Sequence, residues 1–147
     1  MSHAGRTRHT RFRRSLFLPL LAAFLCANAH AHVTPCVDGK ANGYPCDGIA
    51  IAAKLSVAQL GGDEIANLSD IWGWTDKETG KEYAVVALSV GTAFVDITVA
   101  DHPEVLGMLP THSARSLWRG VKVHADHAYI VSEALNHGMQ IFDLRRL

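Results

Sequence analysis

The sequence predicts an all-β fold: the N-terminal part of a β-propeller, about one and a half four-stranded blades, after a signal peptide and a loop-rich segment. Three observations carry this reading. Residues 70–147 are short β-prone runs separated by turn signals. Within them, Gly91-Thr92-Ala93-Phe94-Val95-Asp96-Ile97 returns as Gly138-Met139-Gln140-Ile141-Phe142-Asp143-Leu144, with Gly and Asp five apart in both copies and the copies 47 residues apart. The run Tyr83-Ala84-Val85-Val86-Ala87-Leu88 is nearly continuous in apolar residues. Such a strand is covered on both faces, as in a blade packed between two others.

The N-terminus reads as a targeting segment, residues 1–31. Five arginines (Arg6, Arg8, Arg11, Arg13, Arg14) precede the apolar run 16–25, which is too short to span a bilayer as a helix. Ala29-His30-Ala31 has the form of a signal-peptidase site, so cleavage is expected after Ala31. Arg13-Arg14 before the apolar run also raises a twin-arginine export route. Cys26 follows Leu25, which is not the small residue that lipoprotein cleavage needs. No membrane span is expected after signal removal. The expected location is periplasmic, cell-surface or extracellular.

Residues 32–69 read as loop-rich, with a short helix expected at 52–59. Cys36 and Cys46 remain as an even pair in an exported chain, flanking a loop with Gly39, Gly43 and Pro45. An oxidising compartment favours a disulfide there, worth roughly 2–3 kcal/mol in the chain-entropy model. Their spacing alone is not that of a zinc site.

The strands follow in order from residue 70. Ile71-Trp72-Gly73-Trp74-Thr75 is the first, and the polar stretch 76–81 with Gly80 is a hairpin turn. Residues 83–88 form the second, 94–97 the third, and 105–109 a poorer fourth after the break at Asp101-His102-Pro103. The order then recurs: a strand at 117–123, a turn at Asp126-His127, a strand at 129–131, and the Gly138 to Leu144 copy. Four short strands per unit at a period near 40–50 is the propeller signature, and a propeller closes with about four to eight blades. Residues 70–147 are therefore expected to be incomplete repeats, a fragment of a longer array with strand edges and an apolar blade face uncovered.

Several motifs together resemble one family. These are Thr34-Pro35-Cys36-Val37-Asp38-Gly39-Lys40-Ala41, Tyr44-Pro45-Cys46 and Asp70-Ile71-Trp72-Gly73-Trp74-Thr75-Asp76. The Gly91 to Ile97 run, Trp118-Arg119, Ile130-Val131-Ser132-Glu133-Ala134 and His137 to Leu144 join them. The set, over residues 34–147, resembles the choice-of-anchor B family of exported bacterial proteins. Its LVIVD repeats are expected to form β-propellers, and its members differ in how the C-terminus is anchored. Gly120 stands where the resemblance leads one to expect an acid after Trp-Arg. The resemblance implies fold and location, and carries over no catalytic residue.

Candidate chemistry rests on histidine. His124 and His127, with Asp126 between them and His137 later, are the candidates for a divalent metal; residues three apart on one strand face opposite ways, so a turn at Ala125-Asp126 would be needed. Turn and surface histidines are the preferred reading, and no cofactor is expected. The α-amine and imidazole of His32, exposed by cleavage, could chelate copper, but nothing else resembles a copper oxidase. Gly91, Asp96, Gly138 and Asp143 read as structural repeat positions, each Asp accepting backbone N–H bonds at a blade turn. Trp72 and Trp74 share one strand face and read as packing rather than a sugar platform. Ser132-Glu133 is no hydrolase constellation, no Gly-x-Ser-x-Gly elbow occurs, and Gly61-Gly62 lacks a phosphate-loop context.

From residue 38 onward there are 9 Lys and Arg against 14 Asp and Glu, a net −5. An acidic body disfavours nucleic acid as a partner. The leading expectation is a non-enzymatic surface or extracellular binding module for a protein or glycan ligand at the cell surface. The alternatives are a metal-dependent propeller hydrolase whose other blades are missing, and a fragment without independent function.

Overall fold

The computed structural model describes residues 33–147. The signal segment 1–31, Cys26 and His32 lie outside the described residues. Among those described, the fold is all-β: three small antiparallel sheets, with no helix long and apolar enough to cross a membrane.

The first sheet is a hairpin of β1 (Lys40–Ala41) and β2 (Tyr44–Pro45). Asn42 and Gly43 link them with φ of 49° and 82°. Two positive φ values give the turn whose twist matches the strands, and Asn-Gly adopts it readily. The Cys36–Cys46 disulfide closes this loop, with Cα atoms 5.9 Å apart.

The second sheet runs β3 (Leu68–Thr75), β4 (Glu82–Leu88), β5 (Gly91–Asp96) and β6 (Glu104–Pro110), in that order. The third runs β7 (Arg119–His124), β8 (His127–Ser132) and β9 (Met139–Asp143), ending in a 3-10 turn at Leu144–Arg146. Each strand expected from the sequence is present, with shifted ends. Gly91 lies inside β5 rather than before it, because the strands approach so closely that a Cβ there would meet the Leu109 carbonyl oxygen at 2.6 Å. The turn after β7 is Ala125-Asp126, both at positive φ, and His127 already belongs to β8.

The expected helix at 52–59 does not form. A single turn occurs, where Leu60 N donates to the Ser56 carbonyl. Ser56 and Gln59 cap it reciprocally: Ser56 N donates to Gln59 Oε1 and Gln59 N to Ser56 Oγ. Gly61, at φ 87°, ends it. Packing overrides propensity here. Leu55, Val57 and Leu60 lie flat against Ala84, Val86, Leu88, Ala93 and Val95. Residues 51–66 thus act as a strap over the outer face of the four-stranded sheet. They leave an apolar cleft of about 650 Å³ beside Leu68 and Ile71.

The inner face of that sheet packs on the three-stranded sheet. Trp74, Tyr83, Val85, Ala87 and Phe94 meet Val121, Ala128, Ile130 and Leu144. Phe94 stacks on Phe142 with centroids 4.4 Å apart. Burying each large apolar side chain contributes about 1.5–3 kcal/mol. β4 is buried from Tyr83 to Leu88, as expected of a strand covered twice. β8 differs: Ala128 and Ile130 are buried, Tyr129 is half-buried and Val131 exposed. Only one of its faces is covered.

Register relates the two sheets. Trp74 pairs with Tyr83 and Tyr83 with Asp96; His124 pairs with His127 and His127 with Asp143. The rows are counterparts, so β3, β4 and β5 correspond to β7, β8 and β9. The covered inner face of the first, with Val85 and Phe94, corresponds to the open face of the second, with Tyr129 and Ile141. Ala84 and Val86 correspond to Ala128 and Ile130. The sheets therefore stack head to tail, unlike face against unlike face.

Candidate functional site

The histidines proposed for a metal do not gather. His124 and His127 stand opposite each other across the Ala125-Asp126 turn, and His127 Nδ1 donates to the Ala125 carbonyl at 2.7 Å. His137 lies beyond the other end of β8. Six residues of strand at about 3.3 Å each separate the two ends. Among the described residues no three His, Cys, Asp or Glu side chains come together as metal ligands.

The repeat aspartates make matching turns. Asp96 Oδ1 accepts from Thr98 N at 2.9 Å, and Asp143 Oδ1 from Arg145 N at 3.1 Å. Each also meets a cation, Lys81 at 3.3 Å and Arg145 at 2.8 Å. The Arg145 guanidinium grips Asp143 through both oxygens and holds its pKa down to about 2. Gly138, at φ 62°, provides the bend into β9.

The tryptophans divide by depth. Trp74 is buried, stacks on Tyr83 at 5.2 Å and donates Nε1–H to Asp126 at 3.1 Å. Trp72 is 40% exposed, with the Lys122 ammonium 4.3 Å above its ring. Ser132 Oγ accepts from Ala134 N, a local turn contact.

Asp70 joins the sheets. Its Oδ2 accepts from Val121 N at 3.0 Å and from Lys122 Nζ at 3.2 Å. The Val121 bond foremost, then the bond from Ile71 and the Lys122 charge, lower its pKa against the opposing effect of burial. Gly120 is the register counterpart of Asp70: Asp70 pairs with Ala87, and Gly120 with Val131. The three-stranded sheet therefore lacks, at the matching position, the carboxylate with which the four-stranded sheet grips it.

A buried polar cluster, not anticipated from the sequence, occupies one end of the inter-sheet seam. Ser89, Thr92, Arg119 and His137 are the buried polar residues among those described, and all lie there. Arg119 Nε donates to the Leu88 carbonyl at 2.9 Å, and Nη1 reaches His137 Nε2 at 3.4 Å. A guanidinium only donates, so Nε2 carries the lone pair and Nδ1 the proton. That proton goes to Ser113 Oγ at 2.8 Å, and Ser113 Oγ donates on to the Ala114 carbonyl. Burial first, then the charges of Arg119 and His112, lower the His137 pKa, in keeping with a neutral ring. The His112 ring stacks on it at 4.6 Å. One signal for this cluster exists in the sequence: Arg119, Val121 and Val123 share strand parity, so Arg119 must face inward with the valines.

Compared with known proteins, the chain matches no family model, no curated protein and no solved structure.

Proposed function

We propose that this chain is an exported, non-enzymatic β-propeller repeat module, part of a larger array, that serves as a surface or extracellular binding protein. One observation carries the reading. The outer face of the three-stranded sheet presents Val131, Met139 and Ile141 at 48%, 53% and 55% exposure. Its counterpart in the four-stranded sheet is covered by a neighbouring sheet. An apolar face of a kind already mated elsewhere in the chain is a protein contact surface. Further repeats of the array cover it, and the assembled rim presents the ligand site. The head-to-tail stacking, the repeat spacing and the resemblance to the choice-of-anchor B family support this. The disulfide suits an oxidising compartment.

The test is light scattering coupled to size-exclusion chromatography on residues 32–147. Alone, they are expected to self-associate or fold only partly, and Val131→Lys with Ile141→Lys should shift them towards monomer. A wild-type compact monomer with one cooperative transition would show that the open face needs no partner and would overturn the reading.

A further inference from the structure

We propose that a notch at one rim of the three-stranded sheet is the subsite for a pyranose ring of a neutral, β-linked glycan, stacked on Trp118 and held by the Glu133 carboxylate. This deepens the binding-module reading and rests on it. The notch has a volume of about 380 Å³, within the range of about 300–1,000 Å³ of small-molecule sites. Trp118, Gly120, Val131 and Glu133 wall it on the three-stranded sheet, and Asp70 on β3. Trp118 stands just before β7 and Glu133 just after β8. Arg119 pairs with Ser132, and Glu133 N donates to the Trp118 carbonyl at 3.1 Å, which carries the ladder one pair further. The two residues are therefore cross-strand neighbours at the strand ends.

Two features of this notch have no use in the fold. Trp118 is 64% exposed, and among the described residues no ring, ammonium or hydrogen bond engages its indole, whereas Trp74 stacks on Tyr83 and Trp72 lies under Lys122. Gly120 needs to be glycine neither for its backbone, which has no positive φ, nor for space. A Cβ there would meet only Val131 Cγ2 at 3.6 Å and Asp70 Oδ2 at 3.8 Å, which is ordinary contact. What glycine does is keep the floor of the notch open. The polar groups around the indole define the ligand. The Glu133 carboxylate has no partner among the described residues and can only accept. The Ser132 hydroxyl accepts from Ala134 N at 3.2 Å and keeps its own proton to give, as does the indole N–H. An apolar plane edged by donors and acceptors matches a pyranose with equatorial hydroxyls, whose C–H bonds cover its faces and whose hydroxyls ring its edge. Charge sets the ligand as neutral. The Lys122 ammonium is bonded to Asp70, and the Arg119 guanidinium, 3% exposed, turns inward to the Leu88 carbonyl and His137. A sugar acid would meet Glu133 with no free cation beside it.

The experiment is titration of the chain with cellobiose at neutral pH, followed by saturation-transfer NMR on the sugar. The expected result is saturable binding, with transfer strongest to the ring C–H protons, and several-fold weaker binding of glucuronic acid. Trp118→Ala should lower the affinity about tenfold. Glu133→Gln should weaken it several-fold, and Gly120→Leu should abolish it by filling the notch. No binding of cellobiose overturns the proposal, as does glucuronic acid binding equally well, or an affinity unchanged in Trp118→Ala and Glu133→Gln. Both of these side chains are exposed, so if Gly120→Leu does not fold the other two variants decide. Light scattering on the same samples reads self-association through the open face. A monomer that binds cellobiose would overturn the array and leave the subsite standing, and an associating chain that does not bind it would do the reverse.

Discussion

Removing the Asp70 carboxylate should loosen the two sheets from each other. The carboxylate accepts two bonds from β7, the Val121 N–H at 3.0 Å and the Lys122 ammonium at 3.2 Å. These differ in worth. Val121 is 1% exposed, so its N–H has no ready access to water once the carboxylate is gone. A buried donor left unpaired costs about 1–3 kcal/mol. The Lys122 side chain is 62% exposed, and such a pair contributes at most about 1 kcal/mol. Asp70→Ala should therefore destabilise by about 2–3 kcal/mol, mostly through Val121. Asp70→Asn keeps one oxygen and should cost about 1 kcal/mol. Against a net stability of about 5–15 kcal/mol the larger loss is substantial. The assay is urea unfolding of wild type, Asp70→Ala, Lys122→Met and the double variant. To hold the chain monomeric, all four carry Val131→Lys and Ile141→Lys. The Asp70–Lys122 coupling should stay below about 1 kcal/mol. A cost for Asp70→Ala within about 0.5 kcal/mol of zero, or one carried wholly by the coupling, would refute the backbone clasp. The folded-state pKa of Asp70 lies below its ordinary 3.8, so this stabilisation is complete above that value and is lost as pH falls through the lowered one.

His137 gives a second pH dependence. Its folded pKa lies below the ordinary 6.5, so the unfolded chain takes up its proton first. Stability should be level above 6.5 and fall as pH drops from there towards the lowered value, and His137→Asn should remove that slope in denaturant melts recorded across pH. Reducing Cys36–Cys46 should cost roughly 2–3 kcal/mol, measured by melts with and without reductant, and the oxidised loop should resist proteases. Intact mass of the exported chain should place its N-terminus at His32; a product retaining residues 1–31 would count against export.

Much of the strand order was legible because apolar runs and turn residues alternate on the scale of single strands. The Gly91/Asp96 and Gly138/Asp143 pairs also revealed the correspondence of β5 with β9, since glycine and a turn aspartate are needed where the same bend recurs. The strap was not legible. Leu55, Val57 and Leu60 look like a helical face, and only packing against Ala84 and Val86 limits the segment to a single turn. The buried polar cluster was hidden for another reason. His137 and Ser113 are 24 residues apart, and nothing local marks their meeting with Arg119. The sequence reading preferred turn and surface histidines, whereas His137, the buried histidine among the described residues, serves as a neutral bridge.

The strap over the outer face of the four-stranded sheet has a consequence for growth. Contacts between unlike faces carry no intrinsic stop, and copies added end to end would run on into a filament unless rotation closed them. Here Leu55, Val57 and Leu60 occupy the acceptor end, while the donor end at Val131 and Ile141 stays open. In the proposed array, further repeats could then be added at the open end alone. In that reading the strap would terminate the array, and deleting residues 51–66 would leave both faces of the unit open to copies of itself.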